Sequence, residues 1–513
     1  MKMERIESLL GDRGPVVASV FVVLAGVLII TQFLGGSVAG LPFVGKELGH
    51  AGKRRKAYIS NGLDFYKKGY NMFKSKAYRL TTLNGDAIVL PRHVLDEVRR
   101  LPEDVIDIYK AFDIMNEHKY LDMGDRKLTE MLIHVIRSDL TRSLVRINPR
   151  LSAETAQTIK DLMPPCEDWT SVTVYPTVLQ MVAIISGAIF IGPDLCRSPD
   201  YLQASMNFTL QFIEAVSKLK QWSPWTRWFG RYFTPAVDNL FAARKKAHEF
   251  LAPVIAKRRE VMAAGEDMPD DALQWMINKG RDFGLSDEKL AEAQLNLSMA
   301  AIHTTTLTVT MTLYDLVVRP DIIAELRDEI RGVLAKTDGV MTTHALFEMK
   351  LLDSVMKESQ RINPGSLIRF QRWVNKPVTL SDGTQLPANV MIETPHALAV
   401  NDPEIYQNPE TFDAHRFLNL RNGTTEDVLG LKNREQYQFV TVTKDFMHFG
   451  YGRHACPGRF FAANEIKLIL ARILLNYDMK MPEGVTERYP NMKMGTDAFP
   501  DPTKDIVFKR VEA

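Results

Sequence analysis

Between Pro15 and Leu34 the chain reads PVVASVFVVLAGVLIITQFL, with no charge anywhere in the run. About 20 apolar residues cross the hydrocarbon core of a bilayer as one helix, so the segment predicts a transmembrane anchor. A cleaved signal peptide has a shorter apolar stretch ending in a small-x-small site, and no clear site of that kind precedes the next charge. Before the run, Lys2, Arg5 and Arg13 are offset by Glu4, Glu7 and Asp12. After it, Lys46 to Arg79 carries ten Lys and Arg, including Lys53-Arg54-Arg55-Lys56, against Glu47 and Asp64. Positive flanks stay cytoplasmic, which predicts a single pass with the body facing the cytosol. The basic cluster also suits anionic lipid. Leu41-Pro42-Phe43-Val44-Gly45 reads as a hinge. The chain therefore divides into an anchor, residues 1–40, and a body, residues 41–513.

Composition narrows what the body can be. It is 45% hydrophobic and 25% charged over 513 residues, ordinary for a globular protein. No Gly/Ser-rich or Pro-rich tract divides it and no segment repeats, so one large domain is expected although the length would allow roughly three. A net charge of +2 argues against a nucleic-acid partner. Three widely spaced cysteines, Cys166, Cys196 and Cys456, make neither a disulfide framework nor a structural zinc site, and fit a reducing compartment. Helical periodicity dominates. Leu326, Ile330 and Leu334 follow Asp321 as N-cap; Ala462, Ile466, Leu470 and Ile473 mark another helix; a long one is predicted from Asp287 to Val318, before Pro320. Val378 to Leu386 reads as a hairpin around Asp382-Gly383, and Val390 to Thr394 as a strand. The expected fold class is mainly α with small β-sheets. Trp222, Trp225, Trp228, Phe229, Tyr232 and Phe233 crowd into a dozen residues, as core or as a second membrane contact.

The chemistry-bearing stretch is Phe449-Gly450-Tyr451-Gly452-Arg453-His454-Ala455-Cys456-Pro457-Gly458-Arg459, just before a predicted helix, Phe460 to Leu475. A helix N-terminus favours an anion, hence thiolate over thiol. Glycines let backbone N–H groups approach the sulfur, and Phe449 can shield it from water. Taken alone, such a cysteine is more often an inert buried thiol in a turn.

This loop resembles the haem-binding loop of the cytochrome P450 family, Phe-x-x-Gly-x-Arg-x-Cys-x-Gly, with Phe449, Gly452, Cys456 and Gly458 in register. His454 stands at the family's Arg position, where an imidazole can still donate to a haem propionate. Glu358-Ser359-Gln360-Arg361 matches Glu-x-x-Arg, on one helix face. Phe412-Asp413-Ala414-His415-Arg416-Phe417 is similar to Phe-x-Pro-x-Arg-Phe, with Ala414 in place of proline. The resemblance makes Glu358, Arg361 and Arg416 a structural cluster behind the haem, and Arg372 a propionate ligand. Ala300-Ala301-Ile302-His303-Thr304-Thr305 is similar to the family's Ala-Gly-x-Asp/Glu-Thr-Thr segment. That implies Thr304 helps deliver protons during oxygen activation, while His303, at the acid's position, is either a proton relay or a packed core histidine. The family's Trp-x-x-x-Arg helix is missing; Arg137, in His134-Val135-Ile136-Arg137, falls in its window.

The resemblance implies haem b with a Cys456 thiolate on iron, and dioxygen chemistry at it. No dinucleotide fingerprint is present, so electrons are expected from NADPH through a separate cytochrome P450 reductase docking near Lys444, Arg453 and Arg459. Gly-Arg-His-Ala-Cys-Pro-Gly-Arg and Glu-Ser-Gln-Arg-Ile-Asn-Pro are similar to fungal microsomal members, of the ent-kaurene oxidase kind. They imply an endoplasmic reticulum enzyme and a bulky hydrophobic, terpenoid-type secondary metabolite as substrate. Ala300, Ala301, Ser366, Leu367 and Ile368 are expected near it, together with loop residues between about Glu103 and Leu121. Two other readings share the scaffold: a reductase-independent rearrangement or dehydration, disfavoured by the retained Thr304, and a non-catalytic haem sensor.

Overall fold

The structure, a computed structural model, describes residues 40–427 and 429–511 together with Ser19. The predicted anchor lies outside the described residues but for Ser19 and Gly40. Among the described residues, no helix is long and apolar enough to cross a membrane. The body is mainly helical with small sheets. In chain order, the elements that frame the site are α1 (Ala51–Phe73), β1 (Tyr78–Thr82), β2 (Gly85–Val89), β3 (Ile106–Asp107), α2 (Arg126–Val135), α3 (Val174–Phe190), α4 (Pro199–Gln221), α5 (Asp287–Leu316), α6 (Lys350–Ile362), β4 (Arg369–Val374), β5 (Val390–Thr394) and α7 (Arg459–Asn476).

Local chemistry explains the boundaries. Ser286 caps α5 by accepting the Lys289 amide, and Asp125 caps α2 through the Leu128 amide. Pro199 begins α4 at the first helical position, where its missing N–H costs nothing. Pro320 does the same for the next helix, Pro320–Leu334. There Asp321 lies inside the first turn, and the expected cap position belongs to Arg319. The predicted hairpin forms, with Val378–Thr379 paired antiparallel to Gln385–Leu386.

Helix α3 is apolar nearly all round, as a helix enclosed by others must be. Met181, Val182, Ile185 and Ile189 are fully buried in a core that also takes Ile302, Val309 and Leu313 of α5 and Ile466 and Leu470 of α7. Five strands form the main sheet in the order β1-β2-β5-β4-β3, with only β2 and β5 parallel. A bulge interrupts the β4–β5 register between Arg369 and Arg372. The aromatic run at 222–233 is not core: Trp225, Trp228, Phe229, Tyr232 and Phe233 are all exposed.

Candidate active site

Two glycines let the cysteine loop fold. Gly450 and Gly452 adopt φ of 80° and 77°, and a Cβ at Gly450 would lie 3.5 Å from the Ala455 Cα and the His454 carbonyl. The resulting turn closes with the Cys456 amide donating to the Phe449 carbonyl at 2.7 Å. Gly458 and Arg459, at the start of α7, direct their amides to the Cys456 sulfur. Burial nevertheless outweighs these donors and pushes the thiol pKa up. The helix terminus alone therefore does not make the thiolate; a bound metal cation would tip that balance. The Phe449 ring meets Phe439 edge-on at 5.2 Å. Phe439 is itself fixed through its amide to Asp353 Oδ2 (2.7 Å), a carboxylate paired with Lys467 (2.7 Å).

Across the core, Ala300 and Thr304 sit one turn apart in the middle of α5 and are exposed, while most of the helix around them is buried. Beyond the first turn, exposure is confined to this stripe of an otherwise largely buried helix. The Thr304 hydroxyl donates back to the Ala300 carbonyl at 2.8 Å and also reaches that of Ala301 at 3.2 Å. Thr306, Thr308 and Thr312 repeat the pattern, which bends helices. His303 turns away from this stripe. Its Nε2 donates to the Met206 carbonyl of α4 at 3.0 Å, its Nδ1 faces the Tyr175 hydroxyl at 3.4 Å, and burial lowers its pKa.

A cationic corner flanks the loop. Arg372 is buried, and among the described residues its one hydrogen bond runs to the Gln371 carbonyl (2.7 Å). Burial and then Arg453 bring its pKa down to about 10. His454 is held at about 4, by burial and then by Arg372. Arg137 joins them by donating to the Arg453 carbonyl at 2.8 Å. It lies in a π-helical turn, Ile136–Leu140, that continues α2, whereas His134 turns outward against Phe283. Among the described residues Glu103 is the acid that pairs here, 3.1 Å from His454 and 3.1 Å from Arg126. A buried guanidinium without a carboxylate is costly, so the corner calls for an anion. A half-buried thiol, a solvent-open stripe on α5 and an under-neutralised cationic corner together fit a haem, which Cys456 would hold by its iron and Arg372 by a propionate.

Glu358, Arg361 and Arg416 converge: Arg361 makes two 2.8 Å bonds to Glu358, and Arg416 Nε lies 3.1 Å from both of its oxygens. Ser366 is half-buried. Leu367 and Ile368 pack with Tyr58, Tyr66 and Val89. Lys444 pairs with Asp96, and Arg459 donates to the Cys456 carbonyl, leaving Arg453 the most exposed of the three predicted docking cations. Tyr109, whose ring meets His454 edge-on at 6.1 Å, completes the corner. Nothing in its flanking sequence marks it.

The fold and this site define a haem-thiolate enzyme. The cytochrome P450 family profile matches residues 92–509, and the chain belongs to that family. It is 33% identical over 475 residues to the cytochrome P450 monooxygenase braC of Annulohypoxylon truncatum, covering 92% of this chain and 93% of the relative. It is 35% identical to the monooxygenase ATR3 of Stachybotrys chlorohalonatus (83% and 89% covered) and 33% identical to paxP of Penicillium paxilli (86% and 84%). Among solved structures it resembles retinoic acid-bound cyanobacterial CYP120A1, with a TM-score of 0.67 at 18% identity, over 92% of this chain and 98% of that one. The protein is a cytochrome P450 monooxygenase.

Proposed function

We propose that this monooxygenase oxidises a bulky hydrophobic small molecule, a terpenoid-type secondary metabolite, using dioxygen and NADPH-derived electrons from a separate reductase. The observation that carries the reading is the open Ala300–Thr304 stripe on α5 together with the half-buried Cys456 at the start of α7. Haem, when bound, supplies dioxygen activation. The chain's own residues do the rest. Cys456 would hold the haem iron through its sulfur, whose charge the Gly458 and Arg459 amides would moderate. Phe449 keeps water from it. Thr304 holds a hydroxyl on the open stripe, able to pass a proton inward from its place on the Ala300 carbonyl. Arg372, His454, Arg137 and Tyr109 hold the propionate edge. Ala300 and Ala301 shape the substrate space.

The same reading makes residues 1–40 a single-pass anchor in the endoplasmic reticulum and residues 41–513 a cytosol-facing catalytic body. The exposed Trp225–Phe233 surface suits the bilayer interface, where amphipathic rings partition. Arg453 on the cysteine side suits an acidic reductase surface. The test is a carbon monoxide difference spectrum of the reduced protein, then product formation with and without NADPH and dioxygen. A strongly red-shifted Soret band that disappears in Cys456→Ser supports the thiolate. Product without NADPH would favour a rearrangement instead.

A further inference from the structure

Four buried polar side-chain atoms without a hydrogen-bond partner meet at the end of the main sheet: Arg369 Nε, Thr394 Oγ1, His396 Nδ1 and His448 Nε2. Arg369 and Thr394 are cross-strand partners, and His396 follows two residues beyond Thr394. The rings of His396 and His448 cross at 4.8 Å and 74°. The Met447 amide donates to His396 Nε2 at 3.2 Å, so the ring proton of His396 must sit on Nδ1, a donor with no acceptor. Burial first, and the Arg369 charge as well, depress both imidazoles, His396 to about 3, so both are neutral.

Among the described residues Arg369 forms no ion pair. Its one hydrogen bond among the described residues is long, from Nη1 to the Ile368 carbonyl at 3.4 Å. Asp497 contributes charge from a distance while its carboxyl accepts from Ser366. The backbone is strained at the same point. Phe370, a residue with a full side chain, has φ of 56° inside the bulge between Arg369 and Arg372. Such strain persists where the surroundings require it. Here it sends two nearby arginines to different corners: Arg372 to His454, and Arg369 to His396 and His448.

We propose that Arg369, Thr394, His396 and His448 form a second carboxylate-binding corner, separate from the Arg372 corner. Its occupant is either the other propionate of bound haem or a carboxylate on the substrate, and the proposal rests on the haem reading above. Water could bond the orphan atoms but could not neutralise a buried guanidinium.

The test uses the full-length holoprotein, wild type against Arg369→Met, with Thr394→Val as a milder variant that keeps the charge. Haem release to excess apomyoglobin is timed for native haem and for haem dimethyl ester. Dodecanoate and methyl dodecanoate are titrated by the Soret shift. If a propionate is the occupant, Arg369→Met releases native haem about 10-fold faster or more, and the ester at the wild-type rate. If a substrate carboxylate is the occupant, haem release is unchanged and the variant loses about 10-fold in dodecanoate affinity but none for the ester. Thr394→Val shifts the same quantity in the same direction, by less. Equal release and equal affinities in a wild type that shows the thiolate Soret band overturn the corner alone. A wild type that never shows that band overturns the haem reading and the corner with it.

Discussion

Arg361 and Arg372 are both buried, eleven residues apart, and their surroundings differ in one respect. Arg361 is saturated: Nε and Nη2 grip Glu358, and Nη1 donates to the carbonyls of Val400 (3.0 Å) and Pro409 (2.7 Å). Glu358 in turn accepts from Arg416 and from the Asp413 amide at 3.0 Å. Arg372 has one carbonyl and, instead of a carboxylate, Arg453 and His454 as electrostatic neighbours. A charge whose partners are all protein holds the fold. A buried charge that lacks them marks where a ligand completes the molecule. On the proposed reading, the contrast places one arginine in the fold and the other toward the cofactor.

Substitutions on either side should separate the two roles. The largest effect is expected at the sulfur: Cys456→Ser should reduce turnover to background and remove the red-shifted carbon monoxide band, while circular dichroism stays that of the wild type. Retention of that band would assign the iron ligand elsewhere. Next, Glu358→Ala leaves Arg361 and Arg416 as uncompensated buried charges and should cost about 3–5 kcal/mol. In thermal unfolding this reads as a large drop in midpoint or as loss of soluble protein, whether or not haem is supplied. Arg372→Leu should do the opposite. Stability of the haem-free protein should hold or rise, since an unpaired buried charge is removed, while haem affinity falls about 10–100-fold. A haem-independent collapse in Arg372→Leu would erase the distinction between the two arginines.

Much of this contrast was already legible in the chain. Helix α5, the Asp382-Gly383 hairpin and strand β5 follow from periodicity and turn chemistry, which are local. Cys456, Glu358, Arg361 and Arg416 came from spaced motifs. Saturation of Arg361 is not local: its carbonyl partners Val400 and Pro409 belong to an irregular segment that no pattern announces. The π-turn that presents Arg137 was hidden because an i to i+5 turn leaves no periodic trace, and Tyr109, in a regular helix, was hidden because its contact with His454 is long-range in sequence. The aromatic run could be read as core or as surface because composition is the same in both, and only burial separates them. The thiolate inference also needed the structure: a helix start argues for ionisation, but burial of Cys456 opposes it more strongly.

The smallest effect is expected at His303, where sequence left two roles open. In the structure Nε2 donates to the Met206 carbonyl and the ring ties α5 to α4 beside the open stripe. A tie of this kind contributes about 1 kcal/mol, so His303→Ala should lose about that much and leak more reducing equivalents to hydrogen peroxide. His303→Gln, which keeps an N–H donor, should restore both. The pH dependence has a definite sign. Burial lowers the folded-state pKa of His303, so the unfolded chain binds the proton first as pH falls below about 6.5. The stability advantage of wild type over His303→Ala should therefore be full above that pH and shrink below it. A relay predicts something else: His303→Gln would be as stable as wild type yet turn over slowly, with an altered limb in its pH–rate profile. Stability and coupling restored together by Gln would make His303 a positioning residue, on the structural side of the line that Arg361 and Arg372 define.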